Sequence, residues 1–329
     1  MTRASGALIG LACGDALGAP TEFLTVAEIE RRWGPGGPGD LEGDPALITD
    51  DTQMTLAVAR ALAELPPDAP VPAVVDALSR HFITWWAAPD NNRAPGMTCL
   101  NACERLAAGL PWPQATGASS KGCGANMRVL PVGLVPGLSD DRRAGLAQLQ
   151  SAITHGHPTA LAASELTAFA ALWLARGMRP GDLLEALRAR CAEQRTTYRE
   201  EWLGELWARP GVTDPAEFIA RGWDECAHAL EVVATVPADR ATDPCLATGA
   251  GWIAEEALAT ALHCFLLFPD EPVAAVRRAA TTSGDSDSIA CLAGAFAGAA
   301  HGLSAWPRDW VDRVEHSAEL LAFGHAWDV

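Results

Sequence analysis

Oxygen-bearing side chains stand in a row at Thr49-Asp50-Asp51-Thr52, directly before the helix-like run Met54 to Leu62. One account of them is capping: Asp50 with Gln53 three residues later has capping-box spacing, and acidic groups favour a helix N-terminus. A second cluster, Gly284-Asp285-Ser286-Asp287-Ser288, opens a second helix-like run from Ile289 to Gly302. Asp285 and Asp287 alternate in a turn and can aim at one centre, while the adjacent Asp50 and Asp51 can ligate or bridge two. Carboxylates, hydroxyls and water suit Mg²⁺, Mn²⁺ or Ca²⁺, whereas zinc prefers Cys and His. Four carboxylates gathered without a cation resist ionising together. A di-metal site therefore accounts for both clusters where capping accounts for each alone.

A third feature is Ser119-Ser120-Lys121-Gly122-Cys123-Gly124-Ala125-Asn126-Met127-Arg128. Alternate glycines let backbone N–H groups approach an anion, although a plain turn has the same pattern. It is neither a Walker A loop nor a GxGxxG turn, which disfavours a nucleoside triphosphatase. His155 and His157 sit at a break after a helical segment, where a neutral histidine caps the helix C-terminus or lines a pocket. Zinc binding by this pair is disfavoured, since no third soft ligand is nearby. Asp15 and Glu22, read by themselves, are solvated surface groups.

The elements that must position these residues are helices. The chain has 329 residues, with 64 Ala and 37 Leu against 17 Val, 8 Ile and one Tyr, a balance that favours helix over strand. Helical rows run through Val71, Val74, Val75, Leu78 and Phe82, through Leu258, Leu262, Phe265 and Leu266, and through Leu183, Leu184 and Leu187. Period-two runs are lacking, so an all-α protein is expected. Irregular, Gly- and Pro-rich stretches fall at Gly34 to Ala46, Ala87 to Thr98 and Pro111 to Gly124, which marks the first 130 or so residues as site-bearing. Pro66 to Pro72 reads as a helix-to-helix connection. No repeat or linker divides the chain, and one domain over residues 1–329 is expected.

Composition narrows the function classes. Acidic residues outnumber basic ones 41 to 24, the formal charge is -17, and the only lysine is Lys121. Such a surface repels nucleic-acid phosphates, so bulk DNA or RNA binding is excluded. Nine scattered cysteines without a CxxC pair point to reduced thiols and a cytoplasmic location. The start MTRASGALIGLAC is too short and glycine-broken for a secretory signal, and the longest apolar run, Ile289 to Ala300, falls short of the ~20 residues that span a bilayer.

Taken in order, GDALGAPTE, TDDTQM, RAPGMT, GCGANMRVLP, THGHP and GDSDSIACLAGAFAGAAHG resemble the ADP-ribosylglycohydrolase family over nearly the whole chain. The resemblance implies a compact orthogonal all-α bundle with two Mg²⁺ or Mn²⁺ ions at its centre. It implies metal ligation by Thr49, Asp50, Asp51, Asp285, Asp287 and Ser288, the last standing where Thr is usual. Glu22 matches an acidic residue near the metals. Ser120, Gly122, Cys123, Gly124 and Met127 fall in the motif of the loop that holds diphosphate and ribose, and His155 matches a histidine lining the ADP-ribose pocket. Cys123 replaces a usual Asn, and Lys121 replaces an aromatic residue near the adenine, so Lys121 is expected to pair with a phosphate instead.

The activity so implied is metal-dependent removal of ADP-ribose from a modified protein or other acceptor, by cleavage at the anomeric carbon of the distal ribose. Asp50 or Asp51 would accept a proton, and Glu22 would order water or protonate the leaving group. Two alternatives stay open at this level: hydrolysis of a small ADP-ribose derivative, and a catalytically silent ADP-ribose binder or structural relative. A monomer is expected.

Overall fold

The computed structural model describes residues 2–328, which form eighteen α-helices and three short 3₁₀ turns. Extended backbone pairs only as isolated bridges among these residues, such as Gly122 with Ile253. The all-α expectation holds. The three apolar rows lie on the helices Val71–Trp86, Ala254–Leu267 and Pro180–Gln194. Val74, Leu78, Phe82, Leu183, Leu187, Leu258, Leu262 and Phe265 are buried, and Val71, Val75, Leu184 and Leu266 flank the core. Pro66 to Pro70 joins two helices as read, whereas Val71 and Pro72 already form the first turn of the next helix, Val71–Trp86, where proline is tolerated.

Two helices at the centre set the geometry of everything else. Arg3–Gly18 and Ser286–His301 are buried along almost their whole lengths. They touch backbone to backbone because Gly6, Gly10, Gly14 and Gly18 recur every fourth residue on the first. A Cβ added at Gly14 would stand 2.0 Å from the Ala290 carbonyl oxygen, and one at Gly18 would stand 2.5 Å from the Asp287 Cα. Gly294 and Gly298 answer from the facing helix, with added Cβ atoms 2.0 Å from the Gly10 and Gly6 carbonyl oxygens. Helix approach this close has no room for side chains, and it brings the end of one helix beside the Asp287-bearing start of the other.

The start of the chain is thus a core helix, and a bend of 97° separates it from the Val26–Trp33 helix. The helix Pro158–Ala175 is a longer apolar element than the Ile289 to Ala300 run, and 89% of its 18 residues are buried inside the protein. Glu165 in its middle is fully buried and accepts from the Arg190 guanidinium at 2.9 Å and from Gln148. Such a charged contact marks a protein core, where an ion is buried only with partners.

Candidate active site

Asp15, on the glycine-striped helix, organises the first acidic cluster. It is completely buried, and its carboxylate accepts from Thr49 N–H at 3.0 Å, from Thr52 N–H at 3.1 Å and from the Thr52 hydroxyl at 2.5 Å. Those are orphan donors at the start of the Asp50–Ala63 helix, so Asp15 caps that helix from outside. The solvated-surface reading of Asp15 is therefore overturned. So is the capping box of Asp50 with Gln53: Thr49 is the N-cap, its hydroxyl accepts from Asp51 N–H at 3.3 Å, and Gln53 instead accepts from the Trp85 indole. Both aspartates are thereby left free of capping duty.

The second cluster meets the first across a cavity of about 240 Å³ lined by Glu22, Asp50, Asp51, Asp285, Asp287 and Ser288 together with Gly122, Cys123, Gly124, Met127 and His155. Asp50, Asp51, Asp285 and Asp287 are each 7% exposed or less. Glu22, Asp285 and Asp287 each place an oxygen within 4.8 Å of the others. Asp50 accepts from Gly96 N–H at 3.3 Å and Asp287 from Ser288 N–H at 3.0 Å, while Asp51 Oδ2 is buried with no hydrogen-bond partner.

Burial, followed by the Asp287 charge, pushes the Asp50, Asp51 and Asp285 carboxyls well above the usual range. The same causes raise Asp15 to about 7 and Glu22, half-buried, to about 9. Burial raises Asp287 as well, against hydrogen bonds that lower it. These groups compete for protons because they lack a counter-charge, which an all-oxygen donor set supplies by taking hard divalent cations. The unpartnered Asp51 oxygen fits the same reading.

The Gly122–Gly124 loop forms the wall beyond the carboxylates. Its backbone is tied down by Cys123 N–H donating to the Trp252 carbonyl at 3.1 Å and Ala254 N–H donating to the Lys121 carbonyl at 2.8 Å. A Cβ at Gly124 would lie 2.9 Å from Cys99 Sγ and 3.1 Å from His155 Cε1, so the loop backbone lies directly against the imidazole. His155 lines the cavity and does not cap a helix. Burial, then the Arg128 charge, lowers it to about 3, and its Nδ1 pairs with the Thr154 hydroxyl at 2.8 Å. It is thus a neutral imidazole throughout the physiological range. His157 caps the following helix, accepting from Thr159 N–H at 3.2 Å. Arg128 is buried, stacks over Phe82 and donates to Gln150 and Thr154, which braces this wall from behind.

Three expected site residues are placed differently. Lys121 points away from the cavity and pairs with Glu225 at 2.8 Å and with Glu255. Two carboxylates already neutralise Lys121 on the side away from the cavity, so Lys121→Ala is expected to leave ADP-ribose affinity within about two-fold of wild type by calorimetry. A fall of ten-fold or more would return Lys121 to the site. Ser120 lies behind the rim, its hydroxyl 3.0 Å from that of Thr98, and Thr49 caps the turn that bears Asp50 and Asp51. The rim itself includes Gly96, Met97, Thr98 and Trp252. The first three belong to the RAPGMT stretch, while Trp252 follows Gly249-Ala250-Gly251 and carries no catalytic signature in its own spacing.

A larger groove of about 1150 Å³ lies on the other side of Lys121, along the Pro215–Thr235 helix. Its cations are paired internally, Arg195 with Asp224, Arg221 with Glu225, and Lys121 with both glutamates. The convergent, charge-frustrated groups are in the smaller cavity, which is where chemistry is expected.

Residues 1–327 match the family described as ADP-ribosylglycohydrolase. The chain is 27% identical over 322 residues to the ADP-ribosyl-[dinitrogen reductase] glycohydrolase of Rhodospirillum rubrum, covering 96% of this chain and 92% of that protein. It is 25% identical to the ADP-ribosylarginine hydrolase Tri1 of Serratia proteamaculans (strain 568), over 98% of this chain and 80% of the relative. It is 26% identical to the ADP-ribosylhydrolase ARH3 of Bos taurus, over 96% and 89% respectively. A solved structure titled "ADP-ribosylglycohydrolase-related protein complex" superimposes with a TM-score of 0.67 at 26% identity, covering 99% of this chain and 96% of that one. With an acidic cavity where the two aspartate clusters meet and a family match that runs almost end to end, the chain belongs to the ADP-ribosylglycohydrolase family.

Proposed function

We propose that the protein is a metal-dependent ADP-ribosyl-acceptor hydrolase, which cleaves the bond between the acceptor and the anomeric carbon of the distal ribose. The observation that carries this reading is the convergence of Glu22, Asp50, Asp51, Asp285 and Asp287 on one cavity with a glycine loop as its far wall. Relatives named as hydrolases of ADP-ribosylated dinitrogen reductase and of ADP-ribosylarginine support the substrate class.

Asp50, Asp51, Asp285, Asp287 and Ser288, which line the cavity, are the residues to hold two Mg²⁺ or Mn²⁺ ions, with Thr49 capping the turn that presents the first pair; when bound, the ions supply Lewis acidity and cancel the mutual repulsion of the carboxylates. The Gly122–Gly124 loop offers the backbone of its two glycines, on either side of Cys123, to the diphosphate and adjoining ribose, and neutral His155 packs against it. Asp50 or Asp51 accepts the proton of the attacking water, whose oxygen forms the new bond to the anomeric carbon. Glu22, half-buried at the edge of the cluster, donates a proton to the departing acceptor as the glycosidic bond breaks. Charge develops on the ribose as in glycoside hydrolysis generally, and the surrounding carboxylates favour that positive character. All nine cysteines are free and eight are buried, in keeping with a cytoplasmic setting.

The test is hydrolysis of an ADP-ribosylated peptide in ¹⁸O-labelled water with Mg²⁺ present. Free ADP-ribose carrying one ¹⁸O at the anomeric position, with the unmodified acceptor restored, is the expected result. Binding of ADP-ribose without any release would contradict catalysis.

A further inference from the structure

At the far end of the glycine-striped helix from the acidic site, a second cavity of about 520 Å³ lies where several helix ends meet. Arg3 opens that helix and lines this cavity, whereas Asp15 stands about 18 Å further along the axis at 1.5 Å per residue. No residue lines both this cavity and the acidic one. Three of its lining residues are arginines from three elements: Arg3, Arg143 of the Asp140–Ala152 helix, and Arg176 at the end of Pro158–Ala175. Leu134, Leu172 and Trp327 give the wall an apolar part.

Counter-charge for these arginines is scarce. Among the described residues neither Arg3 nor Arg143 pairs with a carboxylate. Arg3 donates to the Leu174 carbonyl at 2.7 Å, and Arg143 donates to the carbonyls of Val132 and of Val135, the latter at 3.0 Å. Those carbonyls belong to helix ends, and a helix C-terminus supplies at most about half a unit of negative charge. Arg143 is 2% exposed, and its Nε–H is buried without a hydrogen-bond partner. Burial, then the Arg176 charge, lowers it to about 10. Asp328, the one carboxylate in the described wall, is engaged by the start of the Arg3–Gly18 helix, accepting from Ala4 N–H at 2.7 Å and from the Ser5 hydroxyl at 2.5 Å. Arg176 has Asp140 at 3.8 Å, and both of those side chains are more than half exposed. In a chain of formal charge -17, three guanidinium groups left so poorly balanced around one hollow favour an anion between them.

We infer that this cavity is a binding site for a phosphomonoester with a small apolar body. A phosphoryl group has three terminal oxygens and accepts charge-assisted hydrogen bonds from donors on three elements, whereas a carboxylate has two oxygens in one plane. Arg143 supplies the buried donor, with half-buried Arg3 and exposed Arg176 as the outer ones. The apolar part of the wall takes the organic group, and the volume is ordinary for a small-ligand pocket. The site uses none of the residues of the proposed hydrolase centre, so it stands whether or not that reading does.

The experiment is calorimetric titration of the full chain in EDTA with phenyl phosphate and, separately, with phthalate, a dicarboxylate on the same ring. EDTA leaves the acidic cavity without cations to hold either anion. Wild type is compared with Arg176→Gln, Arg176→Glu, Arg3→Gln and Arg179→Gln, the last an exposed arginine outside the cavity. Expected for phenyl phosphate is one site with Kd below about 1 mM, weakened about ten-fold in Arg176→Gln and Arg3→Gln and about a hundred-fold in Arg176→Glu. Arg179→Gln should bind as wild type does, and phthalate should bind wild type at least about ten-fold more weakly than phenyl phosphate. Thermal melts check folding, and the two variants of exposed Arg176 carry the test alone if Arg3→Gln melts lower. No binding to wild type, affinity untouched by Arg176→Glu, or an equal loss in Arg179→Gln would overturn the site. Phthalate binding as tightly as phenyl phosphate would overturn its assignment to a phosphoryl group.

Discussion

Asp287→Asn is expected to slow ADP-ribose release by about a thousand-fold or more, a loss of about 4 kcal/mol of transition-state stabilisation. Asp287 is the first neighbouring charge felt by Asp15, Glu22, Asp50, Asp51 and Asp285, which places it electrically at the centre of the cluster. Asparagine keeps an oxygen for the Ser288 N–H and nearly the same volume, so the start of the Ser286–His301 helix is preserved. Because one of several mutually repelling charges is removed, the metal-free variant should melt no lower than wild type at pH 8. Steady-state kinetics with Mg²⁺ and thermal melts of the same preparation check both halves. A rate within ten-fold of wild type would show that Asp287 does not serve the reaction, and a lowered Tm would mean that the loss reflects folding.

The second large effect concerns stability in the absence of divalent ions. The carboxyls around the cavity have pKa values raised above those of the unfolded chain, with Asp15 at about 7 and Glu22 at about 9. A group raised in the folded state contributes stability that is full below its unfolded pKa and is lost as pH rises through its folded pKa. Metal-free protein should therefore be more stable at pH 5 than at pH 8, the loss developing between about pH 4 and pH 9. Divalent ions bind the ionised form, so Mg²⁺ or Mn²⁺ at about a hundred times Kd should raise Tm by about 5 °C at pH 8 and much less at pH 5. Melts with EDTA or metal at both pH values decide it. A Tm that ignores metal at pH 8 would contradict ligation by the cluster.

The four cavity aspartates are legible in the sequence because each lies within a short run that also starts a helix, so local spacing carries the information. Fold class is legible for a related reason: the excess of Ala and Leu over β-branched residues and the apolar rows are local properties. What local spacing cannot show is a partner far along the chain. Lys121 reads as a phosphate ligand beside a glycine loop until its partners appear 104 and 134 residues away. Asp15 reads as a surface group because its environment comes from the glycine-striped contact with Ser286–His301 and from backbone donors more than thirty residues on. The glycines of that stripe, spaced by four, were the signal that the whole helix is buried. Trp252 escapes for the same reason: its ring meets Phe23 only through the fold.

The most direct measurement is ADP-ribose release from an arginine-linked peptide by one enzyme preparation, first stripped with EDTA and then resupplied with Mg²⁺ or Mn²⁺. Divalent-dependent catalysis at the Glu22, Asp50, Asp51, Asp285 and Asp287 cavity predicts no release above the uncatalysed background in EDTA, and recovery on adding either ion in wild type but not in Asp287→Asn. Undiminished release in EDTA, or equal recovery in Asp287→Asn, would contradict it.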